Sequence, residues 1–308
     1  MPPNRRRVAW QRPRRAVVMN LGLIALFDGQ PGSTLEDAGR TAKHLEELGF
    51  HSLWHPEHVV LFAEYAPNYP YSPDGVPQLP PGKGWYDPLL VLAAAAATTT
   101  RIRLGTSILI LPERNPLVLA KQVATLDHLC GGRLDLGIGI GWSPEEFRAL
   151  GIPFERRGAR ADDYLAAMNR LWQDDPATHE GEFVSFRDVL SWPKPVQQPR
   201  PPVIVGGQSL GALRRAARHG DGWISWMLPV EEVGSTTDRL RDECAAAGRD
   251  PAELRYVYGI PYTTPKAFQA YAEAVRQAGA DEIAVLPWVP DRELRDVLDE
   301  IAKLAGLV

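Results

Sequence analysis

The apolar positions along the chain follow two alternating patterns from residue 17 onward. Short continuous apolar runs, beginning with VVMNLGLIALF at 17–27, are typical of strands buried on both faces. Between these runs, apolar residues recur every three or four positions, as they do along one face of a helix. Ala38, Ala42 and Leu45 form such a stripe behind a capping box predicted at Ser33–Glu36. The pattern therefore predicts strands and helices in turn.

Eight strands are predicted, each followed by a helix. After the first run, the strand candidates are FHSLW at 50–54, RIRLGTSILIL at 101–111, RLDLGIGI at 133–140, PPVIVGG at 201–207, GWISW at 222–226, RYVYGIPY at 255–262 and EIAVLPW at 282–288. Eight strands alternating with helices indicate a (β/α)8 barrel, an α/β fold. The segment GEFVSF at 181–186 predicts a small hairpin inserted after the fourth strand. A doubly wound sheet is disfavoured, because GIGIGW at 137–142 lacks the third glycine of the dinucleotide fingerprint.

The length of the chain allows one large barrel or two ordinary domains, and its charge bears on the kind of partner. The 308 residues include 34 basic and 38 acidic side chains, and six of the basic ones are arginines in the first fifteen positions. The rest of the chain is acidic, with 28 basic against 38 acidic residues, which gives no support to nucleic-acid binding. We expect residues 1–16 to be a disordered basic leader, or to precede a start at Met19. Residues 17–308 are predicted to form a single barrel domain.

Cysteine content and the N-terminal apolar run bear on location. Cys130 and Cys244 are the only cysteines, too few for a disulfide framework or a cysteine metal cluster, so we expect a reducing cytoplasm. The run at 16–27 resembles a signal peptide, but Asn20 and Gly22 interrupt it and DGQPG follows instead of a cleavage site. No apolar run is long enough to span a membrane, and no membrane partner is expected.

The second strand ends in an unusual group of polar residues. In a barrel of this type the reacting groups lie at the carboxyl ends of the strands, and Trp54-His55-Pro56-Glu57-His58 follows strand two. A zinc site is disfavoured because neither H-E-x-x-H nor P-C-x-x-C is present, so no metal is predicted. A packed structural histidine is one alternative. We favour an imidazole that exchanges a proton or hydrogen-bonds a cofactor ring, with Glu57 orienting or tuning it.

The fourth and fifth strands end in glycines. Gly206-Gly207-Gln208-Ser209 opens a helix whose free amides could bind a phosphate. The glycines of strand four leave room for a flat ring over the barrel top, and close packing of helix against strand is the alternative explanation. Glu146 is predicted to complete a capping box with Ser143, and Glu145 to interact with the positive end of the same helix. The two glutamates are therefore not interpreted as a catalytic pair.

A long aromatic loop follows strand two. It runs from Val59 to Asp87 and is predicted to fold over the mouth of the barrel, where it would select substrate and exclude water. Its aromatic residues are Tyr65, Tyr69, Tyr71, Trp85 and Tyr86. A dimer interface is the alternative use for these side chains.

Three stretches of the chain, in order, resemble the luciferase-like monooxygenase superfamily. They are LGFHSLWHPEHVV at 48–60, the segment from RIRLGTSILIL to FRALG at 101–151, and PPVIVGGQSLGALRRAARHGDGWI at 201–224. More narrowly, they resemble its actinobacterial branch of oxidoreductases dependent on coenzyme F420, over residues 19–290. The resemblance implies a (β/α)8 barrel, usually a homodimer, that binds F420 or FMN at the strand ends.

The resemblance also implies roles for particular residues. His58 and Glu57 would face the reactive side of the ring as the catalytic pair, and a cis peptide bond is expected at Ser107-Ile108. The cofactor-binding residues are expected to be Thr106, Ser107, Ile108, Gly139, Gly141, Trp142, Gly206, Gly207, Gln208 and Ser209. Trp142 stands where the F420-dependent sugar-phosphate dehydrogenases have a catalytic glutamate, so oxidation of sugar phosphates by their mechanism is in doubt.

The leading hypothesis is an oxidoreductase that transfers a hydride between F420 and a small organic substrate, with His58 managing the proton. The first alternative is an FMN-dependent two-component monooxygenase that uses O2 and reduced flavin from a partner reductase. A second is a non-catalytic flavin-binding subunit. An unrelated barrel lyase is disfavoured, because Lys83 and Lys121 lie in a loop and a helix and not at strand ends. The expected partners are a small-molecule substrate, a second copy of the chain and a reductase that supplies reduced cofactor.

Overall fold

A computed structural model describes residues 19–27, 34–77, 85–287, 289 and 292–307. The predicted leader at 1–16 and the predicted helix cap Ser33 lie outside these residues. The strands are β1 Asn20–Ile24, β2 Ser52–His55, β3 Arg103–Thr106, β4 Leu109–Ile110, β5 Leu134–Gly139, β6 Ala177–Glu180, β7 Ser185–Val189, β8 Val203–Gly206, β9 Gly222–Trp226, β10 Arg255–Tyr262 and β11 Glu282–Pro287. The helices are α1 Leu35–Glu47, α2 Pro88–Thr98, α3 Pro116–Leu129, α4 Pro144–Ala149, α5 Arg157–Gln173, α6 Leu210–His219, α7 Val233–Ala246, α8 Pro265–Gln277 and α9 Leu294–Leu304.

Eight parallel strands close into a barrel. Their order is β3-β2-β1-β11-β10-β9-β8-β5, and a further pairing of β3 with β5 joins the two ends. The predicted (β/α)8 barrel is therefore confirmed. The third predicted strand is interrupted after Thr106, and its continuation β4 pairs only with β5. The break lies at Ser107-Ile108, whose peptide bond is cis, as the resemblance implied.

The insertion after the fourth barrel strand is a two-stranded antiparallel hairpin. Strands β6 and β7 pair outside the barrel, beyond the end of α5. This is the small hairpin that the segment at 181–186 predicted. It leaves the barrel order unchanged, because β8 pairs directly with β5.

The start of α1 differs by one residue from its prediction. Thr34 is the N-cap and forms the capping box with Asp37, where the sequence had suggested Ser33 and Glu36. The predicted apolar stripe is present, with Ala38, Ala42 and Leu45 fully buried. The two boxes compete because adjacent Ser and Thr each have an acidic residue three positions later.

A separate apolar cluster fills the inside of the barrel. It consists of Ile24, Trp54, Ile204, Ile224, Val257, Ala284 and Leu286, one or more from most barrel strands. Ile108 and Trp226 are half-buried and pack on this cluster. The barrel is therefore a filled core and not a channel. Its upper surface is formed by residues near the carboxyl ends of the strands.

The amino ends of the strands hold a buried ion network. Asp135 is fully buried and accepts hydrogen bonds from Arg103 at 2.6 and 2.8 Å and from Arg255 at 2.7 Å. Burial alone would raise the pKa of Asp135, but the guanidinium groups of Arg255 and Arg103 lower it below its ordinary value. This ion network lies at the end of the barrel opposite to the predicted chemistry and joins β3, β5 and β10.

Two further observations concern the cysteines and the helices. Both Cys130 and Cys244 are buried free thiols. Among the described residues, no helix combines the length and apolarity needed to cross a bilayer.

Candidate active site

The carboxyl ends of β2, β3, β5 and β8 lie side by side along one rim of the barrel. These strands are neighbours in the order β2-β3-β5-β8, and all pairings are parallel. The predicted site residues therefore share one face of the molecule. His58 lies three residues beyond β2, Ile108 lies between β3 and β4, and Trp142 follows β5.

His58 is held by a carboxylate far away in sequence. Its Nδ1 lies 2.7 Å from Oε2 of Glu146, and the two side chains are 9% and 2% exposed. The other oxygen of Glu146 accepts the backbone N–H groups of Val59, at 2.6 Å, and Val60, at 3.3 Å. Glu146 thus fixes both the imidazole and the chain beside it. None of the described residues hydrogen-bonds Nε2 of His58.

The interpretation of Glu146 as a helix cap is wrong in part. Its backbone N–H does donate to the Ser143 hydroxyl at 3.2 Å, which is half of the capping box. Its carboxylate is turned away from the cap and bonds the segment that carries His58. Glu145 instead contacts Ser143, at 3.0 Å, and accepts the N–H of Ala66, at 3.0 Å. Both carboxylates therefore tie the start of α4 to the loop after β2.

Glu57 does not orient His58, which corrects the expected pairing. Its carboxylate is buried and accepts the backbone N–H of Ile110 at 2.6 Å and two N–H groups of Arg114, one of them at 2.8 Å. Arg114 also bonds Asp87, the N-cap of α2, at 2.7 Å. Glu57 therefore anchors the segment after β4 to the end of β2. The geometry gives it a positioning role beside the site.

Ile108 forms the floor of the mouth and explains two of the glycines. A Cβ at Gly206 would lie 2.6 Å from Cγ2 of Ile108, and one at Gly139 would lie 2.9 Å from its Cγ1. Both distances are far below ordinary carbon contacts of about 3.5–4.0 Å. These glycines therefore make room for Ile108 between β5 and β8. Packing around Ile108 therefore accounts for both glycines without a bound ring or a close helix.

Two other predicted cofactor residues have local structural roles. Thr106 is fully buried, and its hydroxyl donates to the carbonyl of Gly137 at 2.6 Å, so its side chain does not reach the mouth. Gly141 has φ +74°, a conformation that favours glycine, and a Cβ there would lie 2.7 Å from the Phe147 ring. Ser107 is half-buried beside Ile108 on the rim.

Aromatic side chains surround His58 and Trp142. The Trp85 ring centroid is 5.0 Å from that of His58, and the Trp142 centroid is 5.6 Å from it. Trp142 also contacts Tyr65 at 5.2 Å and Tyr69 at 4.9 Å. All these separations are within the range of favourable ring contacts. The loop after β2 therefore folds over the mouth, as predicted, and Trp142 is the residue on which it rests.

The same loop reaches the end of β8. Tyr71 is largely buried, and burial raises its pKa to about 12, so it stays a neutral phenol. Its hydroxyl lies 3.5 Å from the side-chain oxygen of Gln208, and the Gln208 amide donates to the carbonyl of Trp226 at 2.6 Å. Ring contacts thus run from His58 through Trp142 and the loop tyrosines toward Gln208.

The stretch after β8 presents unused backbone donors. Gly207, at φ +107°, donates its N–H to the carbonyl of Ile224 at 3.1 Å, and Ser209 caps α6 by accepting the N–H of Ala212. Among the described residues, no acceptor is bonded to the N–H groups of Gln208, Ser209, Leu210 or Gly211. These amides lie at the positive end of α6 and suit an anion such as a phosphate.

His55 has a different environment from His58. It is fully buried, with Nδ1 2.7 Å from the carbonyl oxygen of Ala25 and Nε2 3.1 Å from that of Tyr86. Burial lowers its pKa, against the opposing effect of these carbonyls. His55 thus ties β1 and the approach to α2 together as a structural histidine. Within the described ranges, no group of three His, Cys, Asp or Glu side chains is arranged to hold a metal ion.

Glu146 and Arg114 are site residues that the sequence prediction missed. One indication that a glutamate here has another role was visible in the sequence, because two glutamates follow Ser143 and a capping box uses only one of them. The indication for Arg114 was weaker, since it is only a basic residue three positions after the end of the predicted third strand. In both cases the partner lies more than fifty residues away, so its identity was not visible in the local pattern.

A positioned imidazole, an apolar surface at Ile108 and free amides at the start of α6 thus lie at the carboxyl end of the barrel, where (β/α)8 enzymes have their active sites. The family comparison agrees: the chain belongs to the luciferase-like monooxygenase family, whose model matches residues 19–304. It is similar to an uncharacterized protein of Mycobacterium tuberculosis, 36% identical over 94% of this chain and 98% of the relative. It is also similar to the FMNH2-dependent dimethylsulfone monooxygenase of Pseudomonas putida, 30% identical over 63% of this chain and 59% of that protein.

Solved structures with the same fold include a monooxygenase and an F420-dependent enzyme. The monooxygenase RslO1 of Streptomyces bottropensis shares 27% identity with a TM-score of 0.74, covering 94% of this chain and 98% of that one. An F420-dependent secondary alcohol dehydrogenase, solved with an F420-acetone adduct, shares 17% identity with a TM-score of 0.75, covering 94% and 99%. At that identity the second likeness concerns the fold alone.

Proposed function

We propose that this protein is an F420-dependent oxidoreductase that transfers a hydride between the deazaflavin and a small organic substrate. The observation that carries the proposal is the His58–Glu146 pair, which lies beside Trp142 on the same rim of the barrel as Ile108. An imidazole fixed on one side and free on the other is suited to give or take one proton. Hydride transfer to a carbonyl requires such a proton on the oxygen.

The residues present fit a planar, phosphate-bearing cofactor. Ile108 and the glycines beside it form an apolar surface without projecting side chains from β5 or β8. The free amides at the start of α6 would hold the phosphate, and Trp142 would lie beside the ring. When bound, F420 supplies the carbon that gives or accepts the hydride.

The part of His58 follows from its contacts. With its proton on Nδ1 donated to Glu146, the neutral ring offers Nε2 to the proton of a substrate hydroxyl. The resulting imidazolium is stabilised by the Glu146 carboxylate and can return the Nε2 proton to a carbonyl oxygen in the reverse direction. The loop aromatics Tyr65, Tyr69 and Trp85 exclude water from this exchange.

Titration of the purified protein with F420 and with FMN tests the proposal. We expect the fluorescence of F420 to be quenched and shifted when F420 binds the protein, with a dissociation constant in the micromolar range or below. FMN should bind much more weakly. Reduced F420 should then be oxidised by members of a panel of aldehydes, ketones, enones and quinones. Tight FMN binding without F420 binding would reverse the assignment.

An FMN-dependent monooxygenase is the second candidate. It is favoured by sequence identity, since the flavin-dependent sulfone monooxygenase is 30% identical and RslO1 27%, whereas the F420 enzyme is 17% identical. This activity would need a partner reductase that supplies reduced flavin. Oxygen consumption with photoreduced FMN and a substrate panel separates the two functions, because hydride transfer from F420 consumes no oxygen.

We further propose a small-molecule substrate and a homodimeric assembly. The small-molecule substrate is supported by the aromatic rings of Trp85 and Trp142, which pack against His58 and suit an apolar ligand. The homodimer follows from the family resemblance, and light scattering of the purified protein would test it. A protein of one chain's mass in solution, 34.1 kDa, would contradict it.

A further inference from the structure

Arg157 is a half-buried cation that the proposed mechanism does not use. It is the first residue of α5, and its guanidinium has no carboxylate partner among the described residues. Within that part of the chain its side chain makes one hydrogen bond, from Nε to the carbonyl oxygen of Gly141 at 3.1 Å. The terminal nitrogens Nη1 and Nη2 find no acceptor there. Burial lowers the pKa of Arg157, but a guanidinium stays protonated at ordinary pH.

The contacts of Arg157 place it at the mouth of the barrel. Gly141 follows β5 and directly precedes Trp142, whose ring centroid lies 5.6 Å from that of His58. The guanidinium carbon of Arg157 lies 3.8 Å from the centroid of the Phe154 ring. This stacking and the bond to the Gly141 carbonyl together hold the guanidinium in a defined position beside the chain that carries Trp142.

The start of α5 is an unfavourable place for an unpaired cation. The N-terminus of a helix is the positive end of its dipole, and the first turn of α5 contains no acidic residue. The preceding residue, Arg156, is different, because it is exposed and bonds Glu182 at 2.7 Å. Neither burial nor the helix dipole favours the charge of Arg157. A bound anion would account for that charge.

The first turn of α5 also lies against the helix that follows β8. Nη2 of Arg215, in α6, donates to the carbonyl of Gly158 at 3.1 Å and to Asp162 at 3.1 Å. Helical side chains lean toward the N-terminus of their helix, so Arg215 reaches toward the start of α6. Because β5 and β8 are neighbours, Arg157 lies between the end of β5 and the helix with free N-terminal amides.

We propose that Arg157 binds an anionic group, a phosphate or a carboxylate, of the molecule that occupies the mouth. A guanidinium whose terminal nitrogens are free presents a fork of N–H donors, which fits two oxygens of either group. The proposal rests on the proposed function for the nature of that molecule. A phosphate-bearing cofactor is one source of the anion, and an acidic substrate is the other.

NMR of the Arg157 side chain tests the site without turnover. Its Nε–H signal, identified by its absence in Arg157→Gln, should be observable because this N–H is bonded to Gly141. We expect inorganic phosphate, added at constant ionic strength, to shift the signal along a saturating curve. If the cofactor supplies the anion, F420 should shift it at lower concentrations. A signal that responds to neither phosphate, F420 nor FMN would overturn the proposal.

Binding to variants then identifies the source of the anion. If the cofactor supplies it, Arg157→Gln should weaken F420 binding about 10- to 100-fold, and a deazaflavin without the phosphate tail should bind as in wild type. If the substrate supplies it, F420 affinity should stay unchanged and KM should rise by a similar factor for acidic substrates, but not for their methyl esters. Arg157→Lys, which keeps the charge, should recover part of the loss. Arg156→Gln, the control at an exposed and paired neighbour, should change neither quantity.

Two results would contradict a role in binding. Equal losses of affinity for charged and uncharged ligands, with a lower urea midpoint, would show that Arg157 only braces the start of α5 through Phe154. Unchanged F420 affinity together with unchanged KM for acidic substrates would refute it as well. If wild type does not bind F420, the proposed function fails. Comparison of FMN with riboflavin, which lacks the phosphate, then decides on Arg157 in the same way.

Discussion

Replacing Gly206 by alanine tests whether Ile108 forms the floor of the mouth. The added methyl would lie 2.6 Å from Cγ2 of Ile108, about 1 Å closer than carbon atoms pack without repulsion. That carbon belongs to a β-branched side chain with a stiff first torsion, so Ile108 cannot simply swing away. Overpacking of this kind costs about 1–3 kcal/mol. The strain would also push Ile108 toward the mouth and weaken cofactor binding.

Urea unfolding and cofactor titration measure both effects. We expect Gly206→Ala to lose about 1–3 kcal/mol of stability. Gly234→Ala is the control, because no heavy atom lies within 4 Å of the added methyl. In the Ile108→Ala background the cost of Gly206→Ala should largely disappear, giving a coupling energy above about 1 kcal/mol. Wild-type stability of Gly206→Ala, or strict additivity with Ile108→Ala, would refute the packing argument.

Three further outcomes are expected. His58→Ala should leave cofactor affinity within a few-fold of wild type and cut turnover about 10²-fold or more in stopped-flow assays, and an unchanged rate would remove its proton role. Asp135→Asn should cost about 3–5 kcal/mol at pH 7, since it leaves Arg103 and Arg255 without their carboxylate. Because the pKa of Asp135 is lowered on folding, this stabilisation is present above its ordinary 3.8 and is lost as the pH falls below that value, so the deficit measured by urea unfolding should shrink in acid. Trp142→Leu removes ring contacts worth about 0.5–1.5 kcal/mol each, so amides of the loop at 59–77 should exchange roughly tenfold faster by mass spectrometry, whereas unchanged exchange would mean that other contacts hold the loop.

The barrel was predictable because its strands are buried on both faces. Such strands read as short apolar runs, and the helices between them show a separate three-to-four-residue period. The exact start of α1 was less predictable, since Ser33 and Thr34 offer equivalent caps one residue apart. The break in the third strand falls after Thr106-Ser107, two polar residues inside an otherwise apolar run, and the hydrophobic pattern alone did not predict it.

The partner of His58 was not predictable from its neighbours. Glu57 adjoins it in sequence, but the two side chains leave the segment after β2 in different directions. Glu57 therefore faces the segment after β4, while His58 faces the start of α4. The carboxylate that His58 meets is 88 residues away, and only the closure of the barrel brings the two strand ends together.

The glycines at the strand ends show how one pattern can have two explanations. Their sequence suggested a flat surface or close packing, and the structure assigns Gly139 and Gly206 to packing around Ile108. Glycine content alone cannot identify the neighbour that needs the space. The aromatic loop was easier to interpret, because its aromatic residues cluster over a short span directly after a strand that carries polar groups.

A crystal structure of the protein with bound F420 tests the central claim most directly. The account predicts the deazaflavin ring on Ile108, in contact with Trp142 and within reach of His58 Nε2, with the phosphate on the amides that begin α6. A ring bound away from Ile108, or a phosphate on the opposite rim of the barrel from Gln208, would contradict it.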